Sequence, residues 1–232
     1  MKRSQINDII KNSIHFIDTL GFKLPPFAYW SPREWKTKGA EYNEIRETKL
    51  GWDITDFGSE DFKNIGLLLF TLRNGILNNK KYFKPYSEKI LVVEEEQQTP
   101  LHFHKYKMED IINRGGGNLM LKLMNSIENG TISDTPVNVS IDGKNMTIKS
   151  GSILKLSNGE SITIPTYLYH SFWAEKGQGK VLLGEVSQVN DDLTDNYFYN
   201  SIGRFPDIEE DVEPLYLLCN EYRQELLNKS ET

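Results

Sequence analysis

Cysteine is almost missing from this chain: Cys219 is the only one in 232 residues, which excludes an intrachain disulfide and any metal site built from several thiolates. Positive charge is also in deficit. With 27 Lys and Arg against 33 Asp and Glu the formal net charge is −6, so no chain-wide positive field exists to hold a nucleic-acid backbone or an anionic bilayer. Long apolar runs are absent too, the longest being residues 65–72, far short of the ~20 residues of a spanning helix. Near the start, Ile6, Ile9 and Ile10 are interrupted by Asn7, Asp8, Lys11 and Asn12, unlike the unbroken core of a secretory signal. The expectation is a soluble cytoplasmic protein with neither nucleic acid nor membrane as partner. The length suits one large domain or one domain with an extension.

What is present divides by periodicity. Ile6, Ile9, Ile10, Ile14, Ile17 and Leu20 recur every three or four residues before Gly21, which predicts an amphipathic helix over residues 4–20 with Ser4 as its cap. Ser31-Pro-Arg-Glu34 has the capping serine, the first-turn proline and the returning glutamate of a second, short helix. From about residue 64 the pattern shortens to strand-like runs: 67–72, 90–93, 118–124, 137–141, 145–148, 152–156, 161–164, 170–174 and 181–186, separated by turn signals such as Asp142-Gly143 and Asn158-Gly159. Many short strands at close spacing predict a mainly β sandwich or barrel. The expected organisation is one domain over 1–232, with a helical N-terminal extension to about residue 60 packed on a β core over about 61–225. Arg114-Gly-Gly-Gly117 reads as a hairpin turn, and the acidic stretch 207–213 as a solvated loop.

Four histidines exist, and three of them fall in the β region. In Thr99-Pro-Leu-His-Phe-His104 one residue separates His102 from His104, so on an extended strand both point to the same face. Glu109 follows closely enough to swing back to the same point. His170 stands beyond the Pro165 turn. Three imidazoles and one carboxylate form a mixed N/O donor set for a borderline divalent ion such as Mn, Fe, Co, Ni or Zn. His15, on the amphipathic helix, reads as an ordinary packed or surface residue.

These residues resemble the cupin motifs. His102-x-His104-x4-Glu109-x6-Gly116 matches the first motif from its histidines onward, and Gly159-x5-Pro165-x-Tyr167-x2-His170 matches the second. Glu96, Tyr167 and Ala174 stand where the motifs carry Gly, Gly and Asn, departures that touch turn geometry rather than ligands. The resemblance implies a double-stranded β-helix, or jelly-roll barrel, with the metal inside and dimerisation through the sheets. Longer stretches are more specific: Gly51-Trp-Asp-Ile-Thr-Asp-Phe57, the run from Lys107 to Leu119, Tyr169-His-Ser-Phe-Trp-Ala-Glu175, Gly184-Glu-Val-Ser187 and Leu218-Cys-Asn-Glu-Tyr-Arg223 together resemble the D-lyxose ketol-isomerase family of manganese-dependent sugar isomerases.

Such a reaction moves a hydrogen between C1 and C2 of a free sugar, aldose to ketose, with a divalent ion polarising the carbonyl and a protein group carrying the proton. Glu185, a charged residue within the apolar strand Val181-Leu-Leu-Gly-Glu-Val186, is the expected proton shuttle, with burial raising its pKa. Lys89, before Ile90-Leu-Val-Val93, is the expected group for enediolate oxygen or proton donation. Asp192, Arg204 and Arg223 are candidates for sugar hydroxyls, with Asp191 and Glu221 as lesser ones. Phe103, Tyr167, Tyr169, Phe172 and Trp173 flank the ligands and are candidates for a pocket wall. Two competing readings remain: an iron-dependent cupin dioxygenase and a non-catalytic sugar-binding module.

Overall fold

Residues 1–127, 130–189, 191, 194–200, 203 and 206–222 are described by the computed structural model. Helix α1 (Arg3–Thr19) follows the predicted stripe, with Ile6, Ile10 and Ile17 buried and Gly21 at φ 74° just past its end, a left-handed position that glycine takes without strain. Its start differs from expectation. Lys2 occupies the cap position, and Ser4 instead donates its N–H and hydroxyl to Asp211 at 2.9 and 2.7 Å. The acidic stretch is therefore not free: Arg3, 1% exposed, is clasped by Glu210 and Glu221, placing negative charge at the positive end of the helix. Helix α2 (Pro32–Trp35) is capped as predicted, Ser31 Oγ accepting from Glu34 N while the Glu34 carboxylate accepts from Ser31 N. Helix α3 (Asn43–Glu47) completes the helical part.

The strands are β1 (Gly51–Thr55), β2 (Leu67–Arg73), β3 (Tyr86–Val93), β4 (His102–His104), β5 (Glu109–Gly116), β6 (Leu119–Ser126) and β7 (Ile132–Ser133). They continue with β8 (Val137–Ile141), β9 (Lys144–Ile148), β10 (Ile153–Leu156), β11 (Ser161–Ile164), β12 (Leu168–Ala174), β13 (Val181–Gln188) and β14 (Asn196–Phe198). One antiparallel sheet runs β1-β2-β3-β13-β5-β11-β8-β9 and the other β10-β6-β12-β4-β14, with β7 beside β6. From β10 to β14 the chain changes sheet at every step, the winding of a jelly roll, so the expected fold class holds. Strand β1 begins inside the segment expected to be helical. All five of its residues are buried, Trp52 and Ile54 on the outer face and Asp53 on the inner, an apolar–polar alternation too short to stand out from the helical segment around it.

The connection at Gly115–117 is a corner rather than the expected hairpin: β5 lies in the large sheet and β6 in the small one. A Cβ at Gly116 would stand 2.3 Å from Lys180 O, and one at Gly117 2.5 Å from Gly179 O, so only glycine lets the two backbones cross. Between the sheets lies the main core, including Leu69, Leu91, Ile111, Leu121, Leu183 and Phe172. A second core joins Ile6, Ile10 and Ile17 of α1 to Trp52, Phe70, Ile90 and Val92 on the outer face of the large sheet. Each such buried isoleucine contributes roughly 1.5–3 kcal/mol, which is what holds the helix on the sheet.

Candidate metal centre and active site

Strand β4 places His102 and His104 on one face, their rings 5.2 Å apart, and the pairing of β12 with β4 sets His170 opposite His102 with ring centroids 4.1 Å apart. The ligand atoms of the three imidazoles lie within 4.8 Å of one another. Glu109, the first residue of β5, completes the group from the facing sheet: its Oε1 is 3.2 Å from His170 Nε2 and its Oε2 is 3.3 Å from His104 Nε2. All four residues expected as ligands are thus together.

The donor set fits a cation. His102 Nδ1 lies 2.8 Å from Pro100 O and His170 Nδ1 3.0 Å from Leu168 O. A carbonyl only accepts, so each Nδ1 carries a proton and each ring turns its Nε2 to the interior, the nitrogen left to bind a metal. His170 Nε2 is fully buried without a hydrogen-bond partner, and the Glu109 oxygen facing it is also an acceptor. Two acceptors opposed in a buried space call for a positive ion between them. Burial, reinforced by the neighbouring imidazoles, holds His102 well below the ordinary histidine range; burial and then the Lys107 ammonium lower His104. Burial alone would raise Glu109, but Lys107 and His104 hold it well below the carboxylate range. His102, His104 and Glu109 are thereby held in the protonation states in which they accept a metal.

The facing wall is built by register. On the inward side of β13 Val181 and Leu183 give way to Glu185 and Ser187, and Glu185 stands directly across from Lys89 on β3. Lys89 Nζ donates to Glu185 Oε1 at 3.1 Å, and Lys107 Nζ donates to the same oxygen at 2.9 Å. Lys107, 3% exposed, also lies 2.9 Å from Glu109 Oε2, and these two carboxylates lift its pKa against the effect of burial. The expected rise in the Glu185 pKa does not occur. Burial pushes it up, but Lys107 and Lys89 together outweigh burial and hold the carboxylate below its usual range.

Lys107 itself was missed as a site residue. Its signal was its phase, two residues before Glu109, but it sits in a loop where periodicity says nothing. Asp195 was also missed: its carboxylate is 3.8 Å from His104 Nδ1 and accepts from Tyr106 N at 2.6 Å. Of the five aromatics expected to flank the ligands, Phe172 lines the cavity, a space of about 70 Å³, together with Phe57 and Phe198. Phe198 stacks on His102 at 5.3 Å. Phe103 and Tyr169 pack with Tyr197 in a separate cluster, because neighbours of inward-facing strand residues face outward. Glu221 binds Arg3 and so belongs to the helix clasp. Asp192, Arg204 and Arg223 lie outside the described residues. Glu96 and Tyr167, which replace motif glycines, have φ of 58° and 61°, so the turns keep the glycine-like backbone without the glycine.

A family model for D-lyxose isomerase matches residues 1–222. The chain belongs to the D-lyxose isomerase family. It is 51% identical over 225 residues to a D-lyxose/D-mannose isomerase of Escherichia coli O157:H7, covering 97% of this chain and 99% of that one. It is 49% identical over 223 residues to the enzyme of the same name from Serratia proteamaculans, covering 96% and 98%. Among solved structures, a mutant L-ribose isomerase of Acinetobacter sp. DL28 in complex with L-ribose superposes with a TM-score of 0.61 at 12% identity, covering 90% of this chain and 98% of that one. The L-ribose isomerase of Geodermatophilus obscurus gives 0.59 at 14%, with coverage of 90% and 98%. At these identities the family and those proteins share the fold.

Proposed function

We propose that the chain is a metal-dependent aldose–ketose isomerase that interconverts D-lyxose with D-xylulose and D-mannose with D-fructose through a cis-enediol, with His102, His104, Glu109 and His170 holding one divalent ion, manganese by family resemblance. The observation that supports it most directly is one cavity lined by His102, His104 and Glu109, with the buried His170 behind them, and by an ionised Glu185 flanked by Lys89 and Lys107. A divalent ion bound there would act as a Lewis acid on the sugar carbonyl.

The chain's own residues do the proton work. Glu185 takes the proton from C2 of the aldose; the C–H electron pair forms the C1–C2 double bond, and the carbonyl pair moves onto O1, which takes a proton from the Lys89 ammonium. Return of the Glu185 proton to C1, with the O2 proton passing to Lys89, gives the ketose and restores both groups. Leu69, Leu91, Ile111 and Phe172 line the same cavity and give it an apolar wall, and the proton held on Glu185 exchanges with solvent before it is returned. We read the protein as cytoplasmic and homodimeric; no helix among the described residues is long and apolar enough to cross a membrane.

The deciding experiment is an anaerobic assay of manganese-loaded protein with D-lyxose and D-mannose. Ketose formation without oxygen supports the isomerase. An absolute need for oxygen and iron indicates a dioxygenase, and binding without turnover a sugar-binding module.

A further inference from the structure

Beside the metal cavity lies a larger one of about 270 Å³, and Leu69 and Lys89 form a wall common to both. Its polar lining comes from the large sheet and the loops at that end: Asp53, Thr71, Asn74 and Asp191 face it with Lys89. The first three are 4%, 6% and 7% exposed, so polar side chains have been carried into the barrel next to the reaction wall. Their direction follows from pleating. Trp52 and Ile54 lie in the outer core beneath α1, so Asp53 between them points inward, and Thr71, which follows the outward Phe70, does likewise. Thr71 pairs across from Lys89, and Lys89 from Glu185, giving an inward row over three adjacent strands. Two strand spacings are about 10 Å, comparable with an extended six-carbon chain.

We propose that this lobe receives the far end of the sugar and that Asp53 and Thr71 bind its terminal hydroxyl, making them determinants of specificity. The proposal rests on the isomerase reading above. Its chemistry is specific: a carboxylate accepts the hydroxyl proton, and the threonine hydroxyl serves as the second partner of that oxygen. The lobe is lined by three carboxylates, Glu47, Asp53 and Asp191, against two lysines, Lys49 and Lys89, so it carries no surplus of positive charge for a phosphate and suits a neutral carbinol. The assignment also gives a role to the stretch from Gly51 to Phe57: Asp53 serves the lobe, while Thr55 and Phe57 line the metal cavity.

The test compares kcat/KM for D-mannose with that for 6-deoxy-D-mannose, which differs only in the terminal hydroxyl. A site that pairs a buried carboxylate with that hydroxyl should discriminate by at least about tenfold. Asp53→Asn should reduce the ratio to below about threefold, and Thr71→Val should reduce it in the same direction. A purely structural loss would lower both rates and leave the ratio where it was. A wild-type ratio near one, a ratio unmoved in both variants, or turnover of D-lyxose with rejection of D-mannose overturns the lobe assignment while the isomerase stands. If Asp53→Asn does not fold, the ratio in Thr71→Val decides. Failure of the wild-type protein to isomerise either sugar overturns both readings.

Discussion

Lys89 stands directly opposite Glu185 in the antiparallel pairing of β3 with β13, and its Nζ reaches Glu185 Oε1 at 3.1 Å. Lys107 approaches the same oxygen from the loop before β5 at 2.9 Å. Two cations on one buried carboxylate keep it ionised, the form a base must have, and keep a proton donor beside it for the oxygen that becomes a hydroxyl.

Glu185→Gln preserves shape and removes the base. Its kcat should fall about 10²–10⁴-fold while metal content and fold stay as in the wild type. In deuterated water the wild-type product should carry solvent deuterium at the carbon that receives the proton. Near-wild-type turnover by the glutamine variant would remove Glu185 from the reaction.

Metal should stabilise the folded chain by mass action, by about 2.7 kcal/mol at a free concentration one hundred times Kd. Added manganese should therefore raise the Tm of chelator-treated wild type. His104→Ala combined with His170→Ala should abolish that rise and lose the ion in elemental analysis. Stoichiometric metal in the double variant would refute the ligand assignment.

Lys107 separates two buried carboxylates, lying 2.9 Å from Glu109 Oε2 and 2.9 Å from Glu185 Oε1. Lys107→Met should destabilise metal-free protein by about 3–5 kcal/mol, read from the urea midpoint, because it leaves buried charge uncompensated. Adding Glu185→Gln to that variant should recover part of the loss. Additive losses in the double variant would show that the two side chains do not interact.

The depressed histidines give a definite pH response. Folded His102 and His104 lie below the ordinary value of 6.5, so the unfolded chain takes up protons that the fold refuses. Their contribution is complete above about pH 6.5 and is lost as the pH falls toward their folded values; Glu109, also depressed, adds a further loss at more acidic pH. The Tm of metal-free protein should drop between about pH 7.5 and about pH 5.5, and His102→Asn should flatten that slope. An unchanged slope would contradict the burial of a neutral His102.

Glu96 adopts φ 58° on an exposed turn, where its carboxylate pairs with Lys176 at 3.0 Å. Glu96→Gly removes about 1–2 kcal/mol of left-handed strain but adds about 0.5–1 kcal/mol of unfolded-state entropy, so stability should stay level or rise by about 1 kcal/mol. A clear fall in Tm would mean that the ion pair outweighs the backbone.

The sequence alone determined whatever depends on local period and residue chemistry. The isoleucine stripe of α1, the Ser31 cap, most strands and the shared face of His102 and His104 are all set within a few residues of chain, and the cupin spacing joined Glu109 and His170 to them. Tertiary structure decided what depends on partners distant along the chain. Strand β1, where only Trp52, Asp53, Ile54 and Thr55 alternate, is too short to declare itself and is held as a strand by pairing with β2. The glycine corner at 115–117 turns between sheets because of the backbone at 178–180, and the acidic stretch is ordered by Arg3. Above all, the charge state of Glu185 could not be read from its apolar strand. Burial and opposing charges shift a pKa in opposite directions, and the two lysines that decide the outcome lie 96 and 78 residues away along the chain, brought within hydrogen-bonding distance only by the closed fold.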